Sequence, residues 1–174
     1  MQWNDYECSV NLFGVDLSDP NFLLSVTLGL KKYDIRPDRM IFEIVEEIAT
    51  LNDQQIMDNI RGLHAMGCKI AIDDFGTKYS NIERFCELDS HYLKIDWSCI
   101  RAIREGNNKM LKLIRIIVSI AHDSEPSLEV VIEWIETKEE QLIVEALNVD
   151  YSQGYLFSRP VPESELEAVI ASLQ

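Results

Sequence analysis

Apolar positions along this chain change period again and again. Between Glu7 and Leu12 ("ECSVNL") they alternate with polar ones, the two-residue period of a strand. From Asn21 to Lys32, Phe22, Leu23, Val26, Leu28 and Leu30 fall at helical spacing behind the start signal Asp19-Pro20. Met40 to Val45 ("MIFEIV") predicts a second strand, and Asp53 to Met66 a helix capped by Asp53 with Gly67 just past its end. Next come strand Cys68 to Ile72, short helix Ser80 to Leu88, strand His91 to Ile95 and long helix Asn107 to Ala121. The last units are strand Ser127 to Ile132 ("SLEVVI"), helix Lys138 to Leu147, short strand Val149 to Ser152 and helix Glu163 to Leu173.

Six strands alternating with six helices call for parallel strands joined by helical crossovers, in an open sheet or in a (β/α) barrel. Polar residues at the strand ends separate the two. At or just inside the C-terminal end of each strand stand Asn11, Glu43, Asp73 with Asp74, Lys94 with Asp96, Glu133 and Gln153. An open sheet gathers two or three strand ends at its switch point, whereas a barrel brings every end to one mouth, where barrel enzymes keep their chemistry. The pattern therefore favours an α/β chain with a TIM-like barrel. No linker, repeat or low-complexity segment divides residues 1–174.

Composition narrows the partners. With 174 residues, 47% hydrophobic and 26% charged, the chain is long enough for one sizeable core. No apolar run approaches the ~20 residues of a membrane span, and no basic-then-apolar leader opens the sequence, so a soluble, cytoplasmic protein is expected. A net charge of -14 argues against a nucleic-acid duplex as partner, and means that a phosphate ester would need cations to help bind it. Cys8, Cys68, Cys86 and Cys99 lack CxxC spacing and His64, His91 and His122 stand singly, which speaks against a zinc site and for reduced packing cysteines.

Candidate chemistry concentrates where "KIAIDDFGTKYSN" ends an apolar run on two adjacent carboxylates, Asp73 and Asp74. Taken singly, each polar strand end has a plain structural explanation. Asp73-Asp74 reads as a turn with a helix cap, Glu133 and Glu136 as a helix start, Asn11 as a turn residue, Lys94-Ile95-Asp96 as a surface strand pair, and Gln153-Gly154 as a loop. Their shared position supports the other reading. Three or four carboxylates and an amide oxygen, without His or Cys, make a hard-oxygen site suited to Mg²⁺, Mn²⁺ or Ca²⁺. Two adjacent aspartates can place one carboxylate between two ions and the other on the second ion, as in a two-metal phosphodiesterase.

The strings "FEIVEE", "AIDDFGTKYSN", "YLKID", "IEWIET" and "QGYLFSRP", in this order and after "VNL", resemble the EAL-domain family of cyclic di-GMP phosphodiesterases. The likeness runs from about Val10 to Pro162. It implies a (β/α)8 barrel that binds two divalent ions, Mg²⁺ or Mn²⁺, and hydrolyses cyclic di-GMP to the linear dinucleotide. It further implies Asn11, Glu43 and Asp73 as ligands of a first ion, and Asp73, Asp74 and Glu133 as ligands of a second. By the same resemblance Lys94 holds the attacking water, and Glu133 near it is the base or the residue that orients it. Glu136, Gln153 and Asp96 stand on the substrate or supporting side, and Glu46 anchors the loop after the aspartate pair.

Departures from the family pattern set further expectations. The glutamate-alanine-leucine signature is not in this sequence, nor are the first-ion glutamate and substrate arginine that accompany it. A domain truncated at its N-terminal end is expected, with the first ion weakened and turnover impaired; ~250 residues are typical of a full barrel. The competing function is a catalytically degenerate module that binds cyclic di-GMP or a protein partner. Lys78 stands where the family usually has glycine, and Trp134 where many members have glycine and others an aromatic residue. Exposed sheet edges make a homodimer an open expectation, and fusion to a sensory or cyclase domain another.

Overall fold

A computed structural model describes residues 6–45, 48, 53–76 and 88–173. The predicted helix over 80–88 (all but Leu88), Glu46 and Lys78 lie outside the described residues. Six strands form one sheet in chain order, every neighbouring pair parallel: β1 (Cys8–Leu12), β2 (Met40–Val45), β3 (Lys69–Phe75), β4 (Tyr92–Ile95), β5 (Glu129–Ile132) and β6 (Tyr151–Ser152). This is the strand arrangement of a TIM-like (β/α) barrel, with helices on the outside. Among the described residues β1 and β6 each pair on one side only.

The described helices are α1 (Gly14–Leu17), α2 (Phe22–Tyr33), α3 (Gln54–Ala65), α4 (Trp97–Arg104), α5 (Asn108–Asp123), α6 (Lys138–Glu145) and α7 (Glu163–Leu173). Each long one starts and stops for a local reason. Asp53 accepts from the backbone N–H groups of Gln55 and Ile56 to open α3, and Gly67, at φ 86°, takes the left-handed turn beyond it. Ile56, Ile60 and Leu63 then share the buried face of α3. Asn59, on the same helix and 2% exposed, donates to the carbonyls of Leu17 (2.8 Å) and Asp19 (3.0 Å), tying α3 to the turn behind α1.

Strand alternation divides the residues of the sheet into two sets. Phe42, Ile44, Ile70, Ile72, Leu93, Ile95, Val130 and Ile132 point outward into the helices and make the main core. The intervening residues point inward and line a cavity of about 420 Å³. At the start of the strands this inner face carries Glu7, Lys69, Tyr92, Glu129 and Tyr151; at their ends it carries Glu43, Lys94 and Gln153. Ser9, Ile41, Ala71 and Val131 lie between.

The first polar group is closed on itself. Lys69 Nζ donates to Glu7 and to the Tyr92 hydroxyl (3.0 Å), Tyr92 donates to Glu7 Oε2 (3.0 Å), and Tyr151 donates to Glu129 (3.3 Å). Burial and the Glu7 bond push the Tyr92 phenol up to about 12.

Candidate active site

Six strand ends deliver the site. Asn11 of β1 lies opposite Glu43 of β2 in the parallel register. In β3 the pairing skips: Ile72 faces Leu93, but Phe75 faces Ile95, so one extra residue sits between them. That bulge carries the strand past Ile72, where the sequence reading ended it, through both aspartates. Asp74 occupies the left-handed region at φ 56°, and Gly76 follows at φ 95°. Asp73 follows Lys69 and Ala71 on the inner face by regular alternation, and the bulge inserts Asp74 after it, with a carboxylate oxygen within 4.8 Å of that of Asp73.

Lys94 of β4 is the hub. Its ammonium lies 2.5 Å from Glu43 Oε2, 2.9 Å from Glu133 Oε1 and 3.0 Å from Asp73 Oδ1, and the residue is 5% exposed. Gln153 Nε2 donates to the same Glu133 oxygen at 3.0 Å. Among the described residues Asp73 Oδ1 is buried and makes no hydrogen bond, although the Lys94 ammonium lies 3.0 Å away. Carboxylate oxygens of Asp73, Asp74 and Glu133 all lie within 4.8 Å of one another.

Negative charge therefore exceeds positive charge inside this pocket. Burial, then the charges of Asp73 and Glu43, outweigh the Lys94 bond and push the Glu133 carboxyl up to about 7. Asp74 is raised by burial and next by the charge of Asp73. Burial opposes the charged form of Lys94, but its bonds to Glu43 and Glu133 hold its value above the ordinary lysine range. An orphaned buried oxygen, crowded carboxylates and raised carboxyls fit a hard divalent cation in chemistry and in charge.

Not every candidate joins the cluster. Asp96 caps α4, accepting from Ser98 N–H at 2.9 Å, and so fixes the joint just past Lys94. Glu136 is exposed, donates its backbone N–H to Glu140 Oε2 (3.0 Å), and lines a separate cleft with Trp97, Arg101 and Trp134. A clamp that the sequence reading did not draw on holds Glu133 and Gln153 together. Gln153 N–H donates to Ile132 O, Ile135 N–H to Gln153 O and Leu156 N–H to Ile135 O, at 2.9, 3.0 and 2.9 Å. Gly154 makes this approach feasible, since a Cβ there would lie 2.2 Å from the Ile135 backbone. The glycine of "QGY" was the available signal.

Comparison with known proteins places this geometry. A family model described as EAL domain matches residues 1–160. The probable cyclic di-GMP phosphodiesterase PdeA of Escherichia coli is 40% identical over 154 residues, 88% of this chain and 21% of that protein. The chain spans about a fifth of the length of the curated relatives it matches. Among solved structures, the PaMucR phosphodiesterase in complex with c-di-GMP superimposes with a TM-score of 0.83 at 29% identity, over 93% of this chain and 64% of that one. The manganese and cy-diGMP complex of Klebsiella pneumoniae BlrP1 gives 0.80 at 28% identity, over 88% of this chain and 39% of that one.

Proposed function

The chain belongs to the EAL domain family, and on that premise we propose that it hydrolyses cyclic di-GMP to the linear dinucleotide at a two-ion site in the barrel mouth. The observation that carries the reading is the convergence of Glu43, Asp73 and Glu133 on Lys94, with Asp74 beside them, at the ends of four successive strands.

In this reading Asn11, Glu43 and Asp73 would hold one ion, and Asp74 and Glu133 together with Asp73 would hold the other. Mg²⁺ or Mn²⁺ bound there would supply Lewis acidity toward the phosphodiester and lower the pKa of an adjacent water. Lys94, with three rotatable donors, keeps the attacking water in line with the scissile P–O bond. Glu133 takes the proton of that water, and Gln153 fixes the carboxylate that receives it. The water oxygen forms the new bond to phosphorus as the ester oxygen leaves. Two carboxylates and a neutral amide would hold the first ion more weakly than three carboxylates would hold the second, and slow turnover is expected for that reason.

Incubation with cyclic di-GMP and Mg²⁺ or Mn²⁺, followed by chromatography, tests this directly. Linear dinucleotide should accumulate slowly, and Asp73→Asn should stop it. Tight binding without any product would replace the reading with that of a sensing module; neither binding nor product would overturn both.

A further inference from the structure

We propose that Trp134 and Tyr155 form an aromatic platform at the rim of the site, on which one nucleobase of the dinucleotide stacks. The inference rests on the cyclic di-GMP reading above and adds a base-binding surface to it. Trp134 follows Glu133 directly, yet its backbone sits at φ 60°, where a bulky side chain is disfavoured. Its indole is 56% exposed, between two residues that are almost wholly buried. Folding gains little from an exposed indole in that conformation, so its value lies in what the ring meets from solvent.

What it meets is set by the clamp around Gly154. The bonds between the Glu133–Ile135 and Gln153–Leu156 segments bring Tyr155, also exposed, beside the indole, with ring centroids 6.4 Å apart and planes 56° inclined. Arg159 holds its guanidinium 4.5 Å from the centre of the Tyr155 ring. These three side chains line a groove of about 580 Å³ that also includes Gln153, the residue bonded to Glu133. Gln153 lines both this groove and the inner cavity, so the groove adjoins the site at that residue, and its far wall is formed by Leu166, Val169 and Ile170 of α7. Two aromatic surfaces and a guanidinium suit a flat base carried on a phosphodiester, and stacking of this kind tolerates any base because each has a π-face.

The test is calorimetric titration of cyclic di-GMP into the full chain with Ca²⁺ present, for wild type, Trp134→Ala, Trp134→Gly and Trp134→Phe. Ala and Gly should weaken binding by roughly five- to a hundredfold, the worth of one stacked base, while Phe stays near wild type. Glycine relaxes the backbone at φ 60°, so the melting temperature of Trp134→Gly should match or exceed that of wild type, which separates lost stacking from lost folding. Wild-type affinity in both Ala and Gly variants would overturn the platform and leave the hydrolysis reading standing. Failure of wild type itself to bind cyclic di-GMP would remove the reading and the platform together.

Discussion

The two ends of the barrel's inner face carry similar residues in opposite states. Each has one buried or half-buried lysine among carboxylates. At the start of the strands Lys69 is shared between Glu7 and Tyr92, and Tyr151 serves Glu129, so each of these groups has a partner. At the strand ends, among the described residues, Lys94 is the one cation facing Glu43, Asp73 and Glu133, Asp74 adds a further charge, and Asp73 Oδ1 makes no hydrogen bond. A polar layer that closes on itself holds a barrel together, whereas one left with excess charge is poised for something from solvent. The same residue types thus serve structure at one end and chemistry at the other.

The sharpest way to break this contrast is to neutralise one charge at each end. Asp73→Asn should cut turnover roughly a thousandfold, several kcal/mol of charge stabilisation, while Lys69→Met should leave it nearly unchanged. Lys69→Met should instead cost about 1–2 kcal/mol of stability, modest because the pair is partly solvated, as a denaturant midpoint would read. Equal losses of turnover in both variants would erase the distinction. Gly154→Ala drives a Cβ against the Ile135 backbone and should cost about 1–3 kcal/mol of stability while parting Gln153 from Glu133.

The smallest effects are titrations, and they run in opposite directions. Glu133, raised to about 7, binds its proton in the folded state over a range where the unfolded chain has lost it; its contribution to stability is present at low pH and fades as pH rises through about 7. Mn²⁺ should therefore raise the melting temperature more at pH 8 than at pH 5.5. His91, near the start of β4, is lowered by burial and next by His64, and its Nδ1 accepts from Ile70 N–H at 3.2 Å. Its contribution is full above the ordinary histidine value of about 6.5 and is lost as pH falls below it. Thermal melts of His91→Gln against wild type should converge in acid; a constant difference across pH would remove His91 from the account.

Much of the site was legible because strand parity and strand ends can be read without coordinates. Glu43 and Lys94 interrupt the apolar strings "MIFEIV" and "YLKI" near their ends, and Glu133 and Gln153 directly follow β5 and β6. What failed was what depends on neighbours. The bulge in β3 was hidden because two consecutive polar residues look like a strand's end. α4 escaped although Cys99, Ile100 and Ile103 show its period, because Asp96 was read for chemistry when its carboxylate caps the helix. α1, at four residues, is too short to show a period. The closed layer of Glu7, Lys69 and Tyr92 acquires meaning only when three strands meet, and local pattern does not report that.

The bulge in β3 has a genetic side. Ile70, Ile72 and Phe75 all face the outer core, and removing Asp74 would leave Asp73 between Ile72 and Phe75 in unbroken alternation. The second carboxylate is thus an interpolated residue in an otherwise regular strand. Gain or loss of a single aspartate codon interconverts a barrel with one acidic group at this position and a barrel with two, and the hydrophobic reading frame on either side passes through the event unchanged.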